Sequence, residues 1–151
     1  MKNQVLSIKY KGFTLIELVV VVAVIAMLSS FVIAFLSDSK TNARDSRREE
    51  DILELQNMLN LYATTYQLYP ACAQTVINGN TDCLSSVLVS GEFAVQSPVD
   101  PLGGSTGACN NSGDHVYCYT SDGFGYLLEY ALETDNITGK SSGWQSVLVE
   151  H

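Results

Sequence analysis

The sequence predicts an α+β protein in which one long N-terminal helix, membrane-spanning in its first half, packs on a small antiparallel sheet of three to four strands. Three observations carry this prediction. From Leu18 to Leu36 nineteen consecutive residues bear no formal charge, and at about 1.5 Å per helical residue such a run nearly spans a ~30 Å hydrocarbon core. Ile52, Leu55, Leu59, Tyr62, Tyr66 and Tyr69 then recur at spacings of three and four, which lays an apolar stripe along one side of a helix. Finally, Phe124, Tyr126, Leu128, Tyr130 and Leu132 alternate with their neighbours, the period of a strand with one buried face.

Taken in order, the chain divides into a leader (1–12), a membrane or assembly helix (13–36), a helical stalk (37–69) and a head of loops and strands (70–151). The leader holds Lys2, Lys9 and Lys11 and no acidic residue, so the positive-inside rule places it in the cytoplasm and everything beyond Leu36 outside. The apolar run exceeds the roughly 7–15 residues of a secretory signal and no small-residue cleavage pattern follows it, so it stays attached. Arg44, Arg47 and Arg48 lie on the far side, interleaved with Asp45, Glu49, Glu50 and Asp51. As a solvated helix face these arginines find partners such as Arg47 to Asp51; alternatively they meet lipid headgroups or an acidic neighbouring subunit. If residues 13 to 69 form one helix, it is about 85 Å long and half of it stands in water. Pro70 ends it, since proline lacks the N–H and clashes with the preceding turn.

Glu17 stands at the entrance of the apolar run. An acidic residue costs roughly 2.5–3.5 kcal/mol at the centre of a span, less near its end, so its presence calls for a function. A cut between Gly12 and Phe13 creates an α-amino group four residues before Glu17, on the same face of a helix, where ammonium and carboxylate neutralise each other. Lys11-Gly12-Phe13-Thr14-Leu15-Ile16-Glu17-Leu18 followed by a Val/Ile/Ala run resembles the prepilin signal of type IV pilins and type II secretion pseudopilins. That resemblance implies cleavage after Gly12, N-methylation of Phe13, and Glu17 as the carboxylate that guides docking into a helical filament. It also implies the partners: further copies of the chain, a prepilin peptidase, an inner-membrane assembly platform, minor pilins or pseudopilins, and membrane lipid.

The resemblance extends into the stalk. Ala43-Arg44-Asp45-x-Arg47-Arg48, Asp51-Ile52, Leu55-Gln56, Leu59, Tyr62, Tyr66 and Tyr69-Pro70 look like the same region of major pseudopilins. Many members carry a helix-weakening Gly and Pro inside the span, where this chain has Ala26 and Ala34.

Beyond Ala71 the pattern changes. Residues 71–113 are rich in Gly, Ser, Thr and Asn, with short apolar pieces at Val87 to Val89 and Glu92 to Val95, and are expected to form a long connection. His115 to Thr120, Phe124 to Glu133 and Gly143 to Val149 are expected as strands, with turns at Ser121-Asp122-Gly123 and Thr134 to Gly143. Cys72, Cys83, Cys109 and Cys118 all lie beyond the membrane run, which fits an oxidising compartment, and local pairing is the simplest of three connectivities. A zinc site lacks its C-x-x-C pair. Ser97-Pro98-Val99-Asp100-Pro101-Leu102-Gly103 resembles the Asp-Pro-aromatic-Gly segment of major pseudopilins, with Leu102 in place of the aromatic residue. In that family a Ca²⁺ ion organises nearby loops, and by residue type Asp100, Asp114, Asp122 and Asp135 are the candidates here. Their spacing matches no EF-hand, and turn-stabilising aspartates are the competing explanation.

Composition excludes other classes. The formal net charge is −8, and after Arg48 the sole Lys or Arg is Lys140 against thirteen Asp or Glu, so the head lacks the basic cluster that nucleic acid requires. The only histidines are His115 and His151, and no nucleophile elbow, zinc-protease helix or phosphate-binding loop is present. The expectation is therefore a non-enzymatic filament subunit, a major-type pseudopilin of a type II protein secretion apparatus, held by a single pass in the inner membrane with its head outside. A type IV or competence pilus subunit is the alternative within the class. An uncleaved, membrane-anchored binding module is the alternative from another class.

Overall fold

The computed structural model describes residues 12–150, with residues 31–37 described in backbone only. The chain divides into two compact units, one ending at Asp38 and one beginning at Ser39. Helix α1 covers Leu15–Tyr66. In the first unit its apolar side chains from Leu15 to Leu28 are exposed. The expected membrane helix of 13–36 reaches into the residues described without side chains. The described apolar part of this helix, Leu15 to Ser30, is about 24 Å long and by itself short of a bilayer. Among the described residues no helix is long and apolar enough to cross a membrane. The expected leader falls, up to Lys11, outside the described residues.

The second unit is the expected α+β arrangement. After α1 come β1 (Cys72–Val76), helix α2 (Cys83–Ser90), β2 (Cys118–Ser121), β3 (Tyr126–Leu132) and β4 (Gly143–Val149). The four strands form one antiparallel sheet in the order β1-β2-β3-β4. Ile52, Leu55 and Leu59 from the stalk stripe pack in one core with Tyr117, Tyr119, Tyr126, Leu128, Tyr130 and Leu132. The alternating residues of β3 from Tyr126 onward thus face the core as expected, but the opposite face is not open, since Glu129 and Ala131 are buried as well. Phe124 departs from it and is 66% exposed, because it precedes the strand. Asp122 Oδ1 accepts the N–H groups of Phe124 (2.9 Å) and Gly125 (3.2 Å), which bends the backbone into a turn before extension begins.

Helix α1 stops short of the expected end. Gln67 adopts φ +62° while its N–H still reaches Ala63 O at 2.8 Å, a left-handed residue that closes the helix. Tyr69, which as the residue before a proline disfavours helix, turns its N–H to Gly123 O at 2.8 Å. The stripe loses burial in the same place: Tyr66 is 54% exposed and rests against the Tyr62 and Phe93 rings.

The region expected as a long connection contains two elements. β1 pairs with β2 through a register shift between Cys72 and Thr75, and such an irregular strand lacks clean alternation. α2 is only eight residues long, too short for periodicity to stand out. Its caps are the legible part: Asp82 accepts the Ser85 N–H at 2.9 Å, and Leu84 and Leu88 point into the core.

Candidate functional site

Two places in the chain concentrate functional chemistry, one in each unit. The first begins at Gly12. Phe13 lies before the helix, not in its first turn as expected, and Thr14 is the cap. The Thr14 N–H and hydroxyl donate to Glu17 Oε2 at 2.9 and 2.7 Å, and Glu17 N–H donates back to Thr14 Oγ1 at 3.3 Å. This is a capping box, in which a Thr and the Glu three residues later satisfy each other's orphan donors. Glu17 therefore has a partner already in the unprocessed chain. Around it Phe13, Leu15, Ile16 and the large apolar side chains from Leu18 to Leu28 are 49–80% exposed. A continuous apolar surface of this kind marks an interaction with lipid or protein. Phe13, Ile16, Val20 and Val21 line a shallow groove together with Glu17.

The second place is an ion knot on the stalk. Arg48 is fully buried. Its Nε and Nη2 grip Asp100 at 2.6 and 3.1 Å, and Nη1 bridges Asp45 and Glu133 at 2.7 Å each. Arg44 also grips Glu133, with Nε 2.7 Å from Oε1, the same oxygen that Arg48 holds. Asp45 in turn accepts the Glu133 N–H at 3.0 Å and the Thr134 N–H and hydroxyl at 2.9 and 2.8 Å. Asp100 accepts the Leu102 and Gly103 N–H groups at 2.8 and 3.2 Å. One guanidinium thus ties the stalk, the 97–104 loop and the end of β3 together.

Electrostatics follow from that geometry. Burial works against the charge on Arg48, but hydrogen bonds to Asp100 and Glu133 outweigh it and hold its pKa above the ordinary value. Glu133 is pulled from 4.5 to about 2, first by the Arg44 hydrogen bonds, against burial, and then by Arg48. Asp45 is also held low: burial opposes this, and the Glu133 N–H, the Thr134 hydroxyl and Arg48 prevail. The expected solvated face holds for Arg47, whose exposed side chain meets Asp51 at 3.1 Å. It fails for Arg48, since helical neighbours alone do not report that a distant loop closes over the side chain. Asp51 also accepts the buried Tyr117 hydroxyl at 2.9 Å.

The four cysteines form two bridges, Cys72–Cys83 and Cys109–Cys118. The first joins β1 to α2. The second pins the loop that carries Asn110 over β3, where Asn110 and Gln74 both donate to Glu129 at 2.8 Å. No sequence pattern marks Glu129, and its buried position opposite Cys118 explains why two amides attend it.

The four candidate calcium aspartates do not come together. Asp122 and Asp135 sit in turns at opposite ends of β3, a seven-residue strand, and so about 20 Å apart. Asp114 accepts the Ala108 N–H and the Asn111 amide, both at 2.8 Å, and Asp135 accepts the Ser142 N–H at 2.6 Å. Asp100 belongs to Arg48. Among the described residues no three His, Cys, Asp or Glu side chains converge as a metal site. These residues do not fit the ion.

Comparison with known proteins matches residues 8–33 to the prokaryotic N-terminal methylation motif. Over 98 residues the chain is 32% identical to the type II secretion system core protein G of Vibrio cholerae serotype O1, covering 63% of this chain and 67% of that protein. The chain belongs to the type II secretion core protein G family. It is also similar to core protein G of Escherichia coli K12 (36% over 66 residues) and of Aeromonas hydrophila (33% over 66 residues), each match covering 44% of this chain and 46% of the relative. No solved structure matches it. The core protein G assignment agrees with the long helix laid on an antiparallel sheet, and the methylation motif covers Gly12, Phe13, Thr14 and Glu17.

Proposed function

We propose that this core protein G relative is a processed, inner-membrane-stored pseudopilin that is extracted and stacked into a filament through the apolar surface of its N-terminal helix. The observation that carries this is the run of exposed apolar side chains starting immediately after Gly12-Phe13 and opening on the Thr14–Glu17 capping box. Removal of residues 1–12 exposes the Phe13 amine one residue from the N–H that Glu17 now holds. The carboxylate then neutralises that amine, in its own chain or in a neighbour, while the apolar surface leaves lipid for other helices. The work is mechanical and requires no catalytic group. Core protein G relatives carry secretion in their names, which favours the secretion filament over a pilus.

The test is expression with the cognate peptidase and assembly machinery, followed by mass spectrometry and comparison of sheared filaments with membrane-retained monomer. The mature chain should begin at methylated Phe13. Glu17→Leu should insert into the membrane but fail to form filaments, because a desolvated amine without its partner costs about 3–5 kcal/mol per subunit, and the Thr14 N–H and hydroxyl lose the carboxylate they now donate to. An intact Met1 terminus, or normal filament yield from Glu17→Leu, would sink the proposal and favour an anchored binding module.

A further inference from the structure

We infer that the head of this chain is organised by the Arg48 guanidinium where its family uses a calcium ion, so that its folding and stability do not depend on calcium. A calcium ion gathers loops by drawing six to eight oxygens onto one positive centre. In this head the positive centre is covalent. Arg48 contacts four carboxylate oxygens from Asp45, Asp100 and Glu133 within 2.6–3.1 Å, and these residues come from the stalk, the 97–104 loop and the end of β3.

The oxygens of the knot are already engaged. Asp45 Oδ2 faces the Thr134 N–H and hydroxyl, Asp100 Oδ1 takes two backbone N–H groups besides Arg48, and Glu133 Oε2 is held by Arg44. A cation could enter only by expelling a buried guanidinium whose fork matches carboxylate geometry. The remaining loops are fastened by other means. Cys109–Cys118 closes the 109–118 loop, Asp114 caps its interior, and Asp122 and Asp135 each close a hairpin turn through backbone N–H groups. Every aspartate that the resemblance offers to calcium has a different task here.

The experiment uses the full chain in detergent, melted with calcium well above ~1 mM, the weak limit of extracellular sites, and again with excess EGTA. The two midpoints should coincide within about 1 °C, whereas a saturated site shifts them by roughly 5 °C or more. Arg48→Met should lower the midpoint by about 10 °C or more, because three carboxylates lose their common partner. If that variant yields too little folded protein, Arg48→Lys, which keeps the charge but not the fork, should show a smaller drop in the same direction. Stabilisation of the unaltered chain by calcium would overturn the inference. So would melting of either Arg48 variant together with the unaltered chain.

Discussion

Glu133→Gln isolates the acid sensitivity of the ion knot. The substitution keeps the size of the side chain and removes the charge shared by Arg44 and Arg48. Because the Glu133 pKa falls from 4.5 to about 2 on folding, its ionised form favours the native state. A depressed folded-state pKa contributes stability that is complete above the unfolded value and is lost as pH falls through the folded one. The window is therefore between about pH 4.5 and pH 2. At 1.36 kcal/mol per pH unit the contribution is about 3 kcal/mol. Urea unfolding of the full chain in detergent, followed through Trp144, the single tryptophan, measures it. The unaltered chain should exceed Glu133→Gln by about 3 kcal/mol at pH 7, and the gap should close toward pH 2. Parallel stability curves across this window would refute the assignment of the carboxylate to the two arginines.

Non-reducing peptide mapping should show Cys72 linked to Cys83 and Cys109 to Cys118, and loss of either bridge should lower stability by somewhat under ~3 kcal/mol as judged by urea midpoints. The Cys109→Ser/Cys118→Ser protein should in addition exchange amide hydrogens faster across 105–115, because Asn110 is no longer held over Glu129. Gly103→Ala should be among the most damaging single changes in the head: a Cβ there would lie 1.8 Å from the His115 carbonyl oxygen, so the loop must move and carry Asp100 away from Arg48. A thermal midpoint equal to that of the unaltered chain would contradict that contact.

Periodic signals were legible in the sequence, and isolated ones were not. The stalk stripe and the alternation of β3 each repeat four or more times, and both form the core. The N-terminal motif was legible because one carboxylate in an apolar run has few explanations. β1 carries no periodic signature because a register shift breaks its alternation, and α2 none because eight residues hold barely two turns. The burial of Arg48 is hidden from the sequence for a different reason: its partners Asp100 and Glu133 are 52 and 85 residues away, and no local spacing encodes that meeting. The signal available was the Asp100-Pro101-Leu102-Gly103 turn, which aims a carboxylate but does not say at what. The same turn suggested calcium, since an aspartate placed to meet a cation looks alike whether the cation is a metal or an arginine.

The ion knot also sets a time order on the making of the molecule. Asp45 and Arg48 emerge early from the ribosome, but their partners Glu133 and Thr134 follow some 85–89 residues later. Until then, besides Asp45, only Asp100, 52 residues after Arg48, is available to pair with the guanidinium destined for burial. Contacts of such separation form late, after the loop entropy has been met, so a chain interrupted before Glu133 keeps its head open and accessible to proteases. Closure of the knot thus waits on Glu133 and Thr134, and the stalk end of the head is fastened only after they have been made.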